Sequence, residues 1–177
     1  MVTTKEMEIY VAKFFGLQQT RTGRIKISNN ALFIPNVYWD LSHEADVLIM
    51  SHSGYLTEVE IKISKSDMLQ EFKKRKYIIE KQYRKIKYYY VAFPDFLLPT
   101  ANRMFPKNVG FLVYDNEDKK LYKIRNSSIM NNYKLSINEK YDLARLLQYR
   151  VWKDRFRQTK IPKTKVVENE NWLIEHL

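Results

Sequence analysis

Cysteine is missing from this 177-residue chain. Its absence excludes disulfides, a thiol nucleophile and cysteine-type zinc sites. A cysteine-free chain suits the cytoplasm, which is the expected compartment. Glycine and proline are scarce, at 4 and 5 residues. That argues against a disordered chain, a collagen-like chain or a long flexible linker. No apolar run approaches the length of a membrane span. The segment Met1 to Glu6 lacks the apolar core of a signal peptide. No membrane partner is therefore expected. There is no internal repeat and no low-complexity segment.

Acidic residues are also in short supply. Asp+Glu number 20 against 31 Lys+Arg, a formal charge of +11. Such an excess commonly marks a polyanion partner, and nucleic acid is the usual one. An anionic membrane surface, or solubility alone, is the alternative. Apolar and aromatic residues are plentiful, at 45% and 14%. With this length they suffice for one domain with a real core. Most of the 13 tyrosines belong in core or strand positions, and some are available to stack on bases.

The stretch around which the chain is organised is Glu58-Val59-Glu60-Ile61-Lys62-Ile63-Ser64. Read as a strand, it points Val59, Ile61 and Ile63 to one face and Glu58, Glu60 and Lys62 to the other. Upstream, Asp46-Val47-Leu48-Ile49-Met50 reads as a buried strand that opens on a carboxylate. The Gly-containing turn Ser51-His52-Ser53-Gly54 joins the two as a hairpin. Pairing brings Asp46 near Glu60 and Lys62. Two carboxylates can hold a hard divalent cation such as Mg²⁺. The cation polarises a phosphate and lowers the pKa of a bound water. A neighbouring lysine can orient the attacking water and offset developing charge. The plainer alternative is an ordinary solvated sheet face, on which Glu and Lys alternate and pair across strands.

This constellation resembles the PD-(D/E)xK nuclease superfamily, in which an acidic residue opens one strand and E-x-K lies on the next. Asp46 and Glu60-Ile61-Lys62 are the matching residues. Ala45 stands where a proline often precedes the aspartate. The run Glu60 to Met68 resembles the pattern E-[VI]-K-x-S-x-x-D-[FL] of MmcB-like DNA-repair nucleases and related phage or bacterial proteins. Tyr88 to Pro94 resembles the aromatic strand that follows in that group. The resemblance covers about residues 40 to 115. It implies a restriction-endonuclease-like α/β fold, a central mixed β-sheet flanked by helices on both sides. It also implies a metal-dependent deoxyribonuclease working in DNA repair or in phage or mobile-element DNA processing. Mg²⁺ or Mn²⁺ would be bound by Asp46, Glu60 and the backbone carbonyl of Ile61, with Lys62 positioning the water. Hydrolysis would leave a 5′-phosphate.

The rest of the chain adds candidates. Residues 3 to about 15 read as a helix, with Thr4 as a candidate N-cap and Met7, Tyr10, Val11, Phe14 and Phe15 on one stripe. The resemblance allows Glu8 or Glu6 on this helix to complete the metal site; exposed helical acids are the alternative. Residues 16 to 43 give no clear periodicity. Arg21, Arg24 and Lys26 there are phosphate contacts or a solvated basic loop. Tyr38 and Trp39 are base-stacking residues or packing against the first helix. His43-Glu44 lacks the second histidine of a zinc-protease signature. Glu44 is an additional candidate ligand, or a surface acid.

Ser64-Lys65-Ser66-Asp67 fits a capping box at the start of a helix. The resemblance implies that this helix start lies beside the metal site, where its N-terminus would favour a phosphate; that makes Ser64 and Asp67 additional candidates, with capping as their plainer role. Met68, Leu69, Phe72, Ile79 and Tyr83 mark the helix's buried stripe. The basic residues Lys73, Lys74, Arg75, Lys76 and Arg84 read as a phosphate-backbone contact surface, with an ordinary solvated face as the alternative. Further strands are expected at Tyr88 to Phe93, Val109 to Tyr114 and Lys119 to Ile124, the last a lysine-protected edge. Residues 95 to 108 read as a short helix or loop. A second capping box, Ser136 to Glu139, opens a helix to about residue 157, with Leu143, Leu146, Leu147 and Val151 inward and Arg150 and Lys153 among its positive charges. The expected organisation is one nuclease-like domain, 1–158, and a C-terminal tail, 159–177. Trp172, Leu173, Ile174 and Leu177 are apolar enough to dock the tail on the body or on a second copy in a homodimer. A nucleic-acid-binding module without catalysis, on the same fold, is the alternative function.

Overall fold

The hairpin expected from the alternating stretch forms part of a six-stranded sheet. The structure is a computed structural model that describes residues 2–28, 31–39, 41, 43–75 and 85–159. Helix α1 (Thr4–Phe14) comes first, then a short ribbon of β1 (Leu17–Gln19) and β2 (Ile25–Ile27). The main sheet contains β3 (Leu32–Val37), β4 (Ala45–Met50), β5 (Leu56–Ile61), β6 (Ile86–Pro94), β7 (Gly110–Asp115) and β8 (Lys120–Arg125), in that spatial order. Helix α2 (Lys65–Arg75) follows β5, α3 (Leu98–Met104) follows β6, and α4 (Ile137–Thr159) follows β8. β5, β6 and β7 run parallel, and the outer pairings are antiparallel. The protein is thus α/β with a central mixed sheet flanked by helices. The described backbone divides into two compact units, Met1–Tyr141 and one beginning at Asp142, inside α4. Among the described residues no helix is long and apolar enough to cross a membrane.

Period-two alternation divides the sheet into two apolar layers. Val47, Ile49, Val59, Ile61, Tyr90, Ala92, Leu112 and Tyr114 pack with Met7 and Val11 of α1. On the other face the Phe93 and Phe105 rings both lie edge-on to Phe111, at 5.2 and 6.1 Å. Leu97, Ala101 and Met68 of α2 are also buried. The sheet's edge strands are protected differently. β3 carries Pro35, tolerated where no outer neighbour needs its N–H. β8 carries Lys120 and Lys123, as expected of an edge.

Several sequence expectations need correction. The cap of α1 is Thr3, whose hydroxyl accepts from Glu6 N while the Glu6 carboxylate accepts from Thr3 N; Thr4 is the first helical residue. Phe14, Leu69 and Val151, expected inward, are exposed at 38%, 44% and 55%. Residues 16 to 43 hold a ribbon and an edge strand. The expected helix beyond Ser64 is described to Arg75; Ile79 and Tyr83 lie outside the described residues, as does the tail from residue 160.

Candidate metal and nuclease site

The register of the β4–β5 hairpin places the acids. Val47 pairs with Val59 and Leu48 with Glu58. One step further along both strands stand Asp46 and Glu60, on the face opposite α1. The ladder does not continue in its regular form there. Instead the Asp46 carboxylate accepts the Ile61 N–H through Oδ2 at 2.6 Å. A charged acceptor on a backbone donor is a strong bond, and it fixes the carboxylate against the Glu60–Ile61 backbone. Lys62 N donates to Ala92 O at 2.9 Å, which ties the end of β5 to β6. The turn behind the hairpin is closed by Gly54, at φ +89°, donating to Ser51 O.

The ionic face is buried, which a solvated sheet face is not. Glu58, Glu60 and Lys62 are 0%, 6% and 6% exposed. Lys62 Nζ donates to Glu60 Oε1 at 2.7 Å and lies 3.6 Å from Asp67 Oδ1. Holding charges out of water costs several kcal/mol per ion unless partners compensate. A structural sheet face has no need of that cost, since aliphatic side chains fill such positions.

The candidates named from sequence fall into three groups. Asp46, Glu60, Ile61 and Lys62 come together as expected, and Asp67 joins them through Lys62. Ser64 acts as the cap of α2: its Oγ accepts from Asp67 N at 3.2 Å. The capping box is half made, because the Asp67 carboxylate turns to Lys62. Glu8 accepts from the Asn36 amide at 3.1 Å. Asn36 lies between Pro35 and Val37, which pair with Val47 and Ala45, so it occupies the position beside Asp46. Glu44 is exposed, just ahead of β4. Lys73, Lys74 and Arg75 lie on the last turn of α2, with side chains outside the described part, and Lys76 and Arg84 lie outside the described residues altogether. Arg150 is half-buried and Lys153 exposed, both on α4. Trp39 lies under a cation: Lys85 Nζ is 5.2 Å from its ring centre.

Sequence reasoning passed over one pair. His43 Nε2 lies 2.7 Å from Glu58 Oε1. Glu58 pairs with Leu48, two positions further into the sheet than Asp46 along β4. The segment before β4 therefore folds back over the carboxylate face. Alternation already put Glu58 beside Glu60. Nothing periodic marks His43, because it lies on neither strand.

Hard oxygen donors dominate this face, the ligand type that Mg²⁺ and Mn²⁺ prefer. Among the described residues no three His, Asp or Glu side chains gather as a metal cluster. An ion here would be held by two carboxylates, Asp46 and Glu60, with a backbone carbonyl and water or phosphate completing its shell, a usual arrangement for Mg²⁺. The donor set fits that ion.

No protein-family model matches the chain, and no curated protein matches it. Among solved structures it is similar to a protein of unknown function from Silicibacter pomeroyi. That chain is 14% identical, with a TM-score of 0.56; the match covers 95% of this chain and 99% of that one. The likeness shows a shared fold.

Proposed function

We propose that the protein is a metal-dependent nuclease that hydrolyses DNA phosphodiester bonds, with its active site at the Asp46–Glu60–Lys62 cluster. One observation carries the reading: the E-x-K residues Glu60 and Lys62 are buried as an ion pair, while Asp46 from the next strand is bonded to the backbone between them. Asp46 and Glu60 would hold Mg²⁺ or Mn²⁺, with the carbonyl of Ile61 as a third oxygen. When bound, that ion supplies Lewis acidity toward the phosphate and toward the attacking water. Lys62, held by Glu60, orients the water and offsets charge that develops on the phosphate. The Ile61 N–H orients the Asp46 carboxylate, and Asp67 Oδ1 lies 3.6 Å from the lysine ammonium. The positive charge of the chain draws the polyanion. The setting we propose is DNA repair or phage or mobile-element DNA processing, in the cytoplasm, with a homodimer where both strands are cut.

The test is Mn²⁺ titration by calorimetry, followed by incubation with labelled duplex, single-stranded and branched DNA in Mg²⁺ or EDTA. Wild type should bind the ion and cut at least one substrate, leaving 5′-phosphate ends. Asp46→Asn and Glu60→Gln should lose both properties. Ion binding and cutting unchanged in both variants would sink the proposal. A second reading, a binding module without catalysis, draws on the same bonds, since Asp46 and Glu60 already accept protein donors at 2.6 and 2.7 Å. It would be upheld by salt-dependent DNA binding that needs no divalent ion.

A further inference from the structure

The ribbon of β1 and β2 takes no part in the six-stranded sheet. Leu17 pairs with Ile27 and Gln19 with Ile25. These four residues share one face, with Lys26 on the other. Its turn is firmly tied. Thr20 N donates to Arg24 O at 2.8 Å, Gly23 N to Thr20 O at 2.9 Å, and Arg24 N to Thr20 Oγ1 at 3.0 Å. Gly23 accommodates a φ of +79°. At the base, Ser28 N donates to Gly16 O at 2.8 Å.

The ribbon's surface is unusual for one in water. Every residue from Gln18 to Ile27 is exposed. Ile25 and Ile27 are exposed at 62% and 42%. A two-stranded ribbon alone is marginally stable in water, and bare isoleucines on it call for a partner. The charge identifies the partner's sign. Arg21, Arg24 and Lys26 are exposed, and no acid occurs from Ile9 through Trp39.

We propose that this ribbon is an arm that enters a groove of B-form duplex DNA, with Arg21, Arg24 and Lys26 on phosphates and Ile25 and Ile27 against base edges or sugars. The proposal rests on the reading of the protein as DNA-processing, and it adds the form of the substrate. Single-strand binders depend on aromatic stacking, and residues 17–28 contain no aromatic side chain. The major groove of B-DNA is about 12 Å wide and admits a two-stranded ribbon. The deep, narrow major groove of duplex RNA does not.

The experiment is fluorescence anisotropy with the full chain in EDTA, so that nothing is cut. Its probes are a 20-base-pair DNA duplex, the matching single strand and an RNA duplex, each over a salt series. Triple substitution Arg21→Ala, Arg24→Ala, Lys26→Ala should weaken DNA-duplex binding by at least about tenfold and lower the logarithmic salt slope by about 2 to 3. Ile25→Ser with Ile27→Ser should weaken DNA-duplex binding about tenfold, leaving the salt slope and single-strand binding unchanged. Parallel incubations in Mg²⁺ separate the two readings. If both variants bind the duplex as wild type does, and wild type cuts, the arm is refuted and the nuclease stands. If wild type neither binds nor cuts any DNA, both fall. Equal weakening on all three probes refutes the groove. So does a wild-type dimer by light scattering that the isoleucine variant turns into monomer, since the ribbon would then join two copies.

Discussion

At the scale of single side chains, the candidate site is partly legible in the sequence. Asp46, Glu60 and Lys62 could be placed on one face because strand alternation has a strict period and the turn sets the register. The burial of that face could not be read, because it depends on chain that folds over it from outside both strands. His43 is the clearest case. Its pairing with Glu58 at 2.7 Å joins a residue before β4 to the middle of β5. Truncating one partner of a hydrogen bond to a buried side chain costs about 1–3 kcal/mol. His43→Ala should lose that amount in urea denaturation, and adding Glu58→Leu should recover a large part. A His43→Ala loss below about 0.5 kcal/mol would show that the pair is not stabilising. A second acid gives a pH signature. Glu139 is held down from 4.5 to about 2, chiefly by its bond to Lys85 at 2.7 Å, helped by Ser136 and Tyr133. Its folded-state value lies below the unfolded one. The stabilisation is therefore complete above about pH 4.5 and is lost as the pH falls toward 2. Wild type should lose more stability than Glu139→Gln over that window in acid titrations followed by circular dichroism. Parallel curves would refute it.

Among the elements, those with one clean period were legible and those with interruptions were not. β4, β5, β6 and β7 follow from β-branched and aromatic alternation, and α4 from its capping box at Ser136 and Glu139, which forms as expected. β3 shows no clear period in the sequence, because Pro35 and Asn36, the latter at φ 50°, interrupt it. Only the edge position makes the proline tolerable. The β1–β2 ribbon was missed because its strands are too short to show a period. Helix caps were readable to within one residue at Thr3. The β6–β7 pairing has a steric requirement that periodicity does not reveal. Gly110 pairs with Tyr90. A Cβ on Gly110 would collide with the Tyr90 ring and lie 2.8 Å from Ser127 N. Gly110→Ala should therefore cost about 1–3 kcal/mol, read as a lowered melting temperature. Pairing it with Tyr90→Leu should relieve part of the loss. An unchanged melting temperature would mean that the strands part without cost.

Over the full chain, the order of strands and helices was enough to foresee a mixed sheet covered on both faces. The division of the backbone within α4 was not foreseeable, since a single uninterrupted helical pattern runs through it. The charge of +11 is a property of the entire sequence. It argues for a polyanion partner but not for catalysis; that argument comes from burying an acid–lysine pair next to Asp46. The decisive quantity is therefore the single-turnover rate of DNA cleavage in saturating Mg²⁺, with DNA affinity measured alongside, for wild type and Lys62→Ala. Cleavage should be abolished by EDTA and slowed at least about 100-fold in Lys62→Ala, with DNA affinity nearly unchanged. Equal rates in the two proteins, or cutting that persists in EDTA, would place the chemistry elsewhere and leave the buried Glu60–Lys62 pair without a catalytic role.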